Sequence, residues 1–157
     1  TRALALGAET GYRRRMRISD VLRNKGGGVV TIRPDDTVAH LLAVLSEHRI
    51  GALVVSDDGK GVHGIVSERD VVRHLHSAGA AVLDGPVSEI MTAEVTTCGR
   101  DDEVAGLAQT MTDQRIRHVP VVVDDELLAI VSIGDIVKHR IAALQNERDQ
   151  LVEYIQQ

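Results

Sequence analysis

A stretch that occurs twice constrains this chain most. His63-Gly64-Ile65-Val66-Ser67-Glu68-Arg69-Asp70-Val71-Val72-Arg73-His74 returns as Leu128-Ala129-Ile130-Val131-Ser132-Ile133-Gly134-Asp135-Ile136-Val137-Lys138-His139. Each copy reads as a short buried strand, a Ser, two variable residues, an Asp and the body of a helix. The surroundings repeat as well. Ser88-Glu89-Ile90-Met91 echoes Ser19-Asp20-Val21-Leu22, and Val95-Thr96 echoes Val30-Thr31. Val104, Leu107, Ala108 and Met111 repeat the helical face of Val38, Leu41, Leu42 and Leu45, and Arg115-Ile116 repeats Arg49-Ile50. Two copies are too few for a solenoid. They are expected to pack face to face as a pseudo-twofold pair, each burying the apolar sheet face it cannot bury alone.

Within the first copy, Ile18 to Leu22 reads as one helical turn, broken by Gly26-Gly27-Gly28. Val29–Ile32 is a β-branched strand. Thr37 or Asp36 caps a helix that ends at Arg49-Ile50-Gly51. Leu53–Val55 and Val62–Val66 form a hairpin around Asp57-Asp58-Gly59-Lys60-Gly61. A helix then runs from Ser67 to about Ser77. In the second copy the strands are Val119–Val122 and Leu127–Val131, with Asp124-Asp125 as the turn and a helix from Ser132.

The expected fold class is α+β, with an extended C-terminal helix. Its boundaries are 16–77 for the first unit, 78–86 for a linker of small residues, 87–141 for the second unit and 142–157 for the helical extension. Residues 1–15 are read as a leader or disordered tail ahead of Met16, the alternative being a short basic arm. In the extension, Val137, Ile141, Leu144, Leu151 and Ile155 alternate steps of four and three, broken at Arg148. That narrow seam suits another helix. It either caps its own monomer or pairs with a second copy.

The formal charge of −5 argues against nucleic acid and anionic membrane as partners. With no Trp or Phe, and only Tyr12 and Tyr154, a base must be held between aliphatic side chains rather than on a stacking platform. Cys98 is alone, so no disulfide framework or thiolate zinc cluster is expected. A reducing cytoplasm fits, and no apolar run is long enough to span a bilayer. Cys98 itself reads as a small core residue.

Ser-x-x-Asp at a helix start has two chemistries. The plain one is a capping box, in which the two residues satisfy each other's backbone donors. The other is recognition: the carboxylate accepts bonds from paired ribose hydroxyls, and the helix terminus beside it attracts phosphate. Ser67 and Ser132 can serve both. The histidines lack zinc-ligand spacing. Glu68 with Asp70 has no nucleophile or metal cluster for acid–base work. There is no glycine-lysine phosphate loop. The chain is therefore not expected to be an enzyme, to bind a metal or to hold a catalytic cofactor.

The repeat order, the Gly-Ile-Val-Ser-Glu-Arg-Asp segment and Arg117-His118-Val119-Pro120-Val121 together resemble CBS domains over about residues 17–141. The pair is similar to stand-alone bacterial Bateman modules. The resemblance implies β-α-β-β-α units, a disc-shaped pair that often dimerises, and clefts for AMP, ADP, ATP, S-adenosylmethionine or NAD. It implies that Asp70 and Asp135 take ribose hydroxyls and that Ser67 and Ser132 sit by phosphate. The ligand-binding set it implies also includes Thr31, Ile32, Ala52, Leu53, Arg69, Thr96, Thr97, Arg117, His118, Val119 and Pro120. One departure is Ala129, where the motif usually has Gly.

The functional expectation is a regulatory sensor of adenine nucleotides that forms a homodimer and acts on an unidentified protein. The alternative is a structural dimerisation module with vestigial sites, or a binder of another adenosyl ligand. Arg117 is expected beside the second motif, so that its cleft gains more from added phosphates, while the first tolerates adenosine or a ligand with little negative charge. If the phosphate crosses the pseudo-twofold, Arg117 and His118 serve the neighbouring site instead.

Overall fold

The computed structural model describes residues 15–23, 25, 26 and 28–156. Of the expected leader, only Arg15 falls within them. In chain order the elements are α1 (Ile18–Leu22), β1 (Thr31–Ile32), α2 (Val38–His48), β2 (Ala52–Val55), β3 (Gly64–Ser67), α3 (Glu68–Ala78), α4 (Val104–Gln114), β4 (His118–Val123), β5 (Glu126–Ser132) and α5 (Ile133–Gln156).

Local chemistry sets most boundaries. The Thr37 hydroxyl accepts the His40 amide and caps α2. Both α2 and α4 stop at an arginine in the left-handed region, Arg49 at φ 53° and Arg115 at φ 56°. The next amide then returns to the last turn, Ile50 N–H to Leu45 and Ile116 N–H to Met111. Asp124 and Asp125, both at positive φ, close the β4–β5 hairpin as a two-residue turn.

β1 pairs parallel with β2, and β3 pairs antiparallel on the other side of β2. β4 and β5 are an antiparallel pair. Ser67 stands opposite Ala52, and Ser132 stands opposite His118. The same register thus brings each Ser to the first residue of the neighbouring strand.

Neither half closes its own core. Val87 and Ile90, from the head of the second repeat, are buried among Ile32, Val38, Leu41, Leu53 and Val66 of the first. Ile18 and Val21, from the head of the first, are buried among Val104, Leu107, Met111, Val119 and Val131 of the second. Backbone bonds fix the exchange in matched pairs. Ile18 N–H donates to Asp102 O at 2.9 Å, as Val87 N–H donates to Asp36 O at 2.8 Å. Ser19 donates to Arg100 O as Ser88 donates to Pro34 O. Val104 donates to Met16 O as Val38 donates to Gly85 O.

Several expectations need correction. The segment Val95-Thr96 forms no strand. Its repeat keeps the register of β1 on β2 only as a single parallel bridge, Cys98 to Val121, while the Thr96 hydroxyl donates to Gln114 Oε1 at 2.8 Å. The first strand shortens to Thr31–Ile32. The linker is structured: Ala80–Asp84 is a 3-10 turn, and Val82 and Leu83 pack on the first core. Leu42 lies at the rim of the face expected to be buried, and Val44 packs there instead.

The apolar seam of α5 does not cap its own monomer. Val137, Ile141, Leu144, Leu151 and Ile155 are 46–80% exposed. Ile136 is the one buried residue of that helix among those described.

Gly64 marks a close approach. A Cβ there would lie 2.6 Å from Met91 Sδ and 3.0 Å from the Thr92 carbonyl, because Ile65 and Thr92 exchange backbone bonds.

The exchanged heads make a testable claim about cooperativity. Ile18→Ala removes a fully buried side chain and should cost about 2–5 kcal/mol. The cost should appear in both halves. In urea, amide signals from α2 and from α4 should share one lowered midpoint; two separate midpoints would mean that the halves fold independently.

Candidate functional site: two clefts between the halves

Two clefts lie where the halves meet. The first encloses about 500 Å³ and is lined by Ser67, Arg69, Asp70, Arg73, Arg115 and Arg117, among others. The second encloses about 610 Å³ and is lined by Lys25, Arg49, Arg100, Ala129, Ser132 and Asp135, among others. Each is of a size that suits a small-molecule ligand. Gly51, Ala52 and His118 line both.

The helix starts are built alike. Asp70 Oδ2 accepts the Ser67 amide at 2.8 Å and the Ser67 hydroxyl at 3.0 Å, while Ser67 Oγ accepts the Asp70 amide. Asp135 Oδ2 accepts the Ser132 amide at 2.9 Å, and Ser132 Oγ accepts the Asp135 amide at 3.1 Å. The capping box is thus present in both copies. It fixes each carboxylate at a cleft wall through one oxygen.

Charge differs between the clefts. The first carries Arg69, Arg73, Arg115 and Arg117 against Glu68, Asp70 and Glu94. Arg69 Nη1 reaches across it to the Arg115 carbonyl at 3.4 Å. In the second, Lys25 Nζ donates to Asp135 Oδ2 at 2.5 Å and also to the Ile130 carbonyl. Burial alone would raise the Asp135 pKa; the bonds from Lys25 and Ser132 outweigh it and hold the carboxyl below its ordinary value. The His118 imidazole packs on the bare backbone of Gly51, where a Cβ would meet its Cε1 at 3.3 Å. Burial first, and then Lys25, hold its pKa below the usual histidine value.

Of the ligand set expected from sequence, Ala52, Ser67, Arg69, Asp70, Thr96, Arg117 and His118 line the first cleft. Ser132 and Asp135 line the second, with Ala52 and His118 again. Ile32, Leu53, Val119 and Pro120 are buried in the strands, and Thr31 and Thr97 line neither cleft. Arg117, the residue before β4, stands with the first motif and not over the second, across the pseudo-twofold. The ground on which the second cleft was expected to gain more from phosphate is therefore removed. That cleft draws its cations from Lys25, Arg49 and Arg100 instead.

Cys98 is buried in the second core. Burial, with Asp102 nearby, pushes its thiol up to about 11, which leaves little thiolate at neutral pH. Among the described residues no group of His, Cys, Asp and Glu is placed to hold a metal, and no helix is long and apolar enough to cross a membrane.

The CBS-domain family model matches residues 18–77 and 87–142. The chain belongs to the CBS-domain family. It is 37% identical over 147 residues to the mitochondrial CBS domain-containing protein CBSX3 of Arabidopsis thaliana, across 88% of this chain and 71% of that one. A solved CBS-domain containing protein from Agrobacterium tumefaciens is 42% identical, with a TM-score of 0.76 over 79% of this chain and 92% of that one. The CBS domain pair of protein MJ0100, solved with 5'-methylthioadenosine and S-adenosyl-L-methionine, is 26% identical. Its TM-score is 0.70 over 79% of this chain and 94% of that one.

Reading the sequence for a CBS pair missed several lining residues. Arg49 and Arg115 served only as repeat landmarks, yet each ends its helix in the left-handed region at a cleft. A non-glycine residue there costs about 1–2 kcal/mol, a cost invisible in the sequence, whose only signal was the recurrence of Arg-Ile at both helix ends. Arg73 lies in the duplicated stretch but was given no role there, and Lys25, Glu94 and Gln114 carry no motif.

The shared histidine gives a pH signature. The folded-state pKa of His118 lies below its ordinary 6.5, so the unfolded chain binds the proton more readily. The stability that His118 contributes is complete above pH 6.5 and is lost as pH falls through the folded value. His118→Gln should flatten that part of the melting-temperature profile between pH 7.5 and 5. An identical profile in the variant would exclude His118 as its source.

Proposed function

We propose that this CBS-domain chain is a regulatory module that takes an adenine nucleotide, AMP, ADP or ATP, into its clefts. One observation carries the reading. The Asp70 carboxylate is held by Ser67, is in no ion pair among the described residues, and faces a cleft with four arginines. The carboxylate suits two neighbouring ribose hydroxyls, which are donors. Arg offers a planar, permanently charged fork for phosphate oxygens, and the α3 terminus adds the positive end of its dipole.

The same arginines disfavour S-adenosylmethionine, whose sulfonium is cationic, although the solved MJ0100 pair holds that ligand and 5'-methylthioadenosine. The cleft residues bind and orient, and the reading gives the chain no catalytic step. A reducing compartment such as the cytoplasm fits a lone buried thiol.

A saturating nucleotide tests the reading. AMP at a hundredfold over its dissociation constant should stabilise the protein by about 2.7 kcal/mol. Asp70→Ala should weaken the tighter of the bound AMP molecules by about tenfold to a hundredfold, the range for hydrogen bonds to a charged group. Calorimetry that finds AMP binding unchanged in this variant would refute the ribose assignment.

The second part of the proposal is a homodimer through α5. Antiparallel packing of two such helices about a point between Leu144 and Arg148 brings Val137 opposite Ile155 and Ile141 opposite Leu151. The seam is therefore self-complementary. Arg148 beside Leu144 can lay its stem along the seam and keep its charge in water. Deleting residues 146–157 should shift sedimentation from dimer to monomer while the melting temperature of the body changes little. A monomeric full chain at micromolar concentration would reject this.

A further inference from the structure

The two clefts differ at the carboxylate that the repeat makes common to both. Among the described residues, the Asp70 carboxylate bonds only to Ser67. In the second cleft, the Asp135 oxygen that accepts the Ser132 amide also accepts the Lys25 ammonium. The same ammonium bonds to the Ile130 carbonyl, so it occupies two acceptors of that cleft. The pair is two-thirds sheltered, with side chains 33% and 28% exposed, unlike a screened surface ion pair.

The repeat does not supply a counterpart. Lys25 stands three residues after Leu22. The same count from Met91 reaches Glu94, an acid, at the first cleft.

We propose that Lys25 is a selectivity gate on the second cleft. Bonded to the Asp135 oxygen that already caps the helix, its ammonium neutralises the carboxylate toward a ribose until an anionic group on the ligand draws the ammonium away. This rests on reading the clefts as nucleotide sites. A nucleoside brings only neutral hydroxyls to Asp135. Displacing Lys25 with them breaks a charge-assisted bond and strands an ammonium in a partly sheltered cleft. A nucleotide brings a counter-charge for that ammonium, so the bond is exchanged and Asp135 is released in the same event. Arg49 and Arg100 line the same cleft and can meet the remaining phosphate oxygens. Lysine suits the role because its charge rides on a flexible four-carbon stem with three donors. The first cleft has no such gate and admits adenosine as well as AMP.

The experiment is calorimetry with adenosine and AMP on the full chain, one cleft at a time. Asp70→Ala reports the second cleft and Asp135→Ala the first. In Asp70→Ala, AMP should bind and adenosine should bind far more weakly. Adding Lys25→Met should tighten adenosine by about tenfold or more, the scale of one charge-assisted bond, and narrow the ratio between the two ligands. Lys25→Arg should keep that ratio.

An unchanged ratio in Lys25→Met overturns the gate. So does an equal loss for both ligands, which would make Lys25 a plain wall residue. Carboxyl NMR gives a readout without ligand: Lys25→Met should raise the Asp135 pKa, and no movement overturns the pairing on which the gate depends. If Asp135→Ala binds AMP while the second cleft binds neither ligand in any variant, the gate falls and the nucleotide reading stands. If neither cleft binds in any variant, both fall.

Discussion

Everything in this molecule depends on the exchange of heads between the halves. A two- or three-stranded sheet with two helices is too small to exclude water from its own core. Each half borrows two large aliphatic side chains from the other, Val87 and Ile90 in one direction and Ile18 and Val21 in the other. The backbone bonds that fasten the heads run along the helix and strand entrances. The clefts open where those entrances meet. Their walls therefore always come from two halves, and no cleft survives separation of the pair.

The capping boxes set what the clefts can do. A carboxylate at the third position of a helix is normally occupied in closing that helix. Here one oxygen is enough for that task, which leaves the group anchored at a cleft wall. The anchoring is the same in both copies, and the difference comes from what the opposite wall supplies. Arg117, just before β4, lines the same cleft as Asp70, and the segment after α1 presents Lys25 to Asp135. A duplicated sequence thus yields two sites with equal frames and unequal electrostatics.

What could be read from the chain follows the range of the interactions involved. The repeat, the Thr37 cap, the Asp124-Asp125 turn and the helix from Ser132 to Ile155 are local, and periodicity and end signals carry them. The two Ser-x-x-Asp pairs were legible for the same reason. The partner of each Asp was not, because Lys25 and Asp135 are 110 residues apart and meet only through the exchange. On the same account the sequence leaves Arg117 between the second motif and, across the pseudo-twofold, the first: its place just before β4 does not say which side it faces. The loss of a strand at Val95-Thr96 also had no local sign, since the β-branched pair there resembles Val30-Thr31. The ordering of 78–86 depends on Val82 and Leu83 finding the first core, which is a tertiary contact.

One proportion of the molecule has a mechanical reading. Asp135 is the third residue of a helix of 24 residues, which at 1.5 Å per residue is about 36 Å long. Its root is clamped between β5 and the second core by Ile136, and its outer two-thirds stands clear of the body. Such a helix has the proportions of a lever arm rooted at the second cleft. A tilt of about 5° at the pivot sweeps the far end through about 3 Å, simply from that length. A displacement of that size exceeds the roughly 1–2 Å helix shifts by which switching proteins repack an interface. Any tilt about Asp135 would be magnified, by length alone, at Leu151 and Ile155.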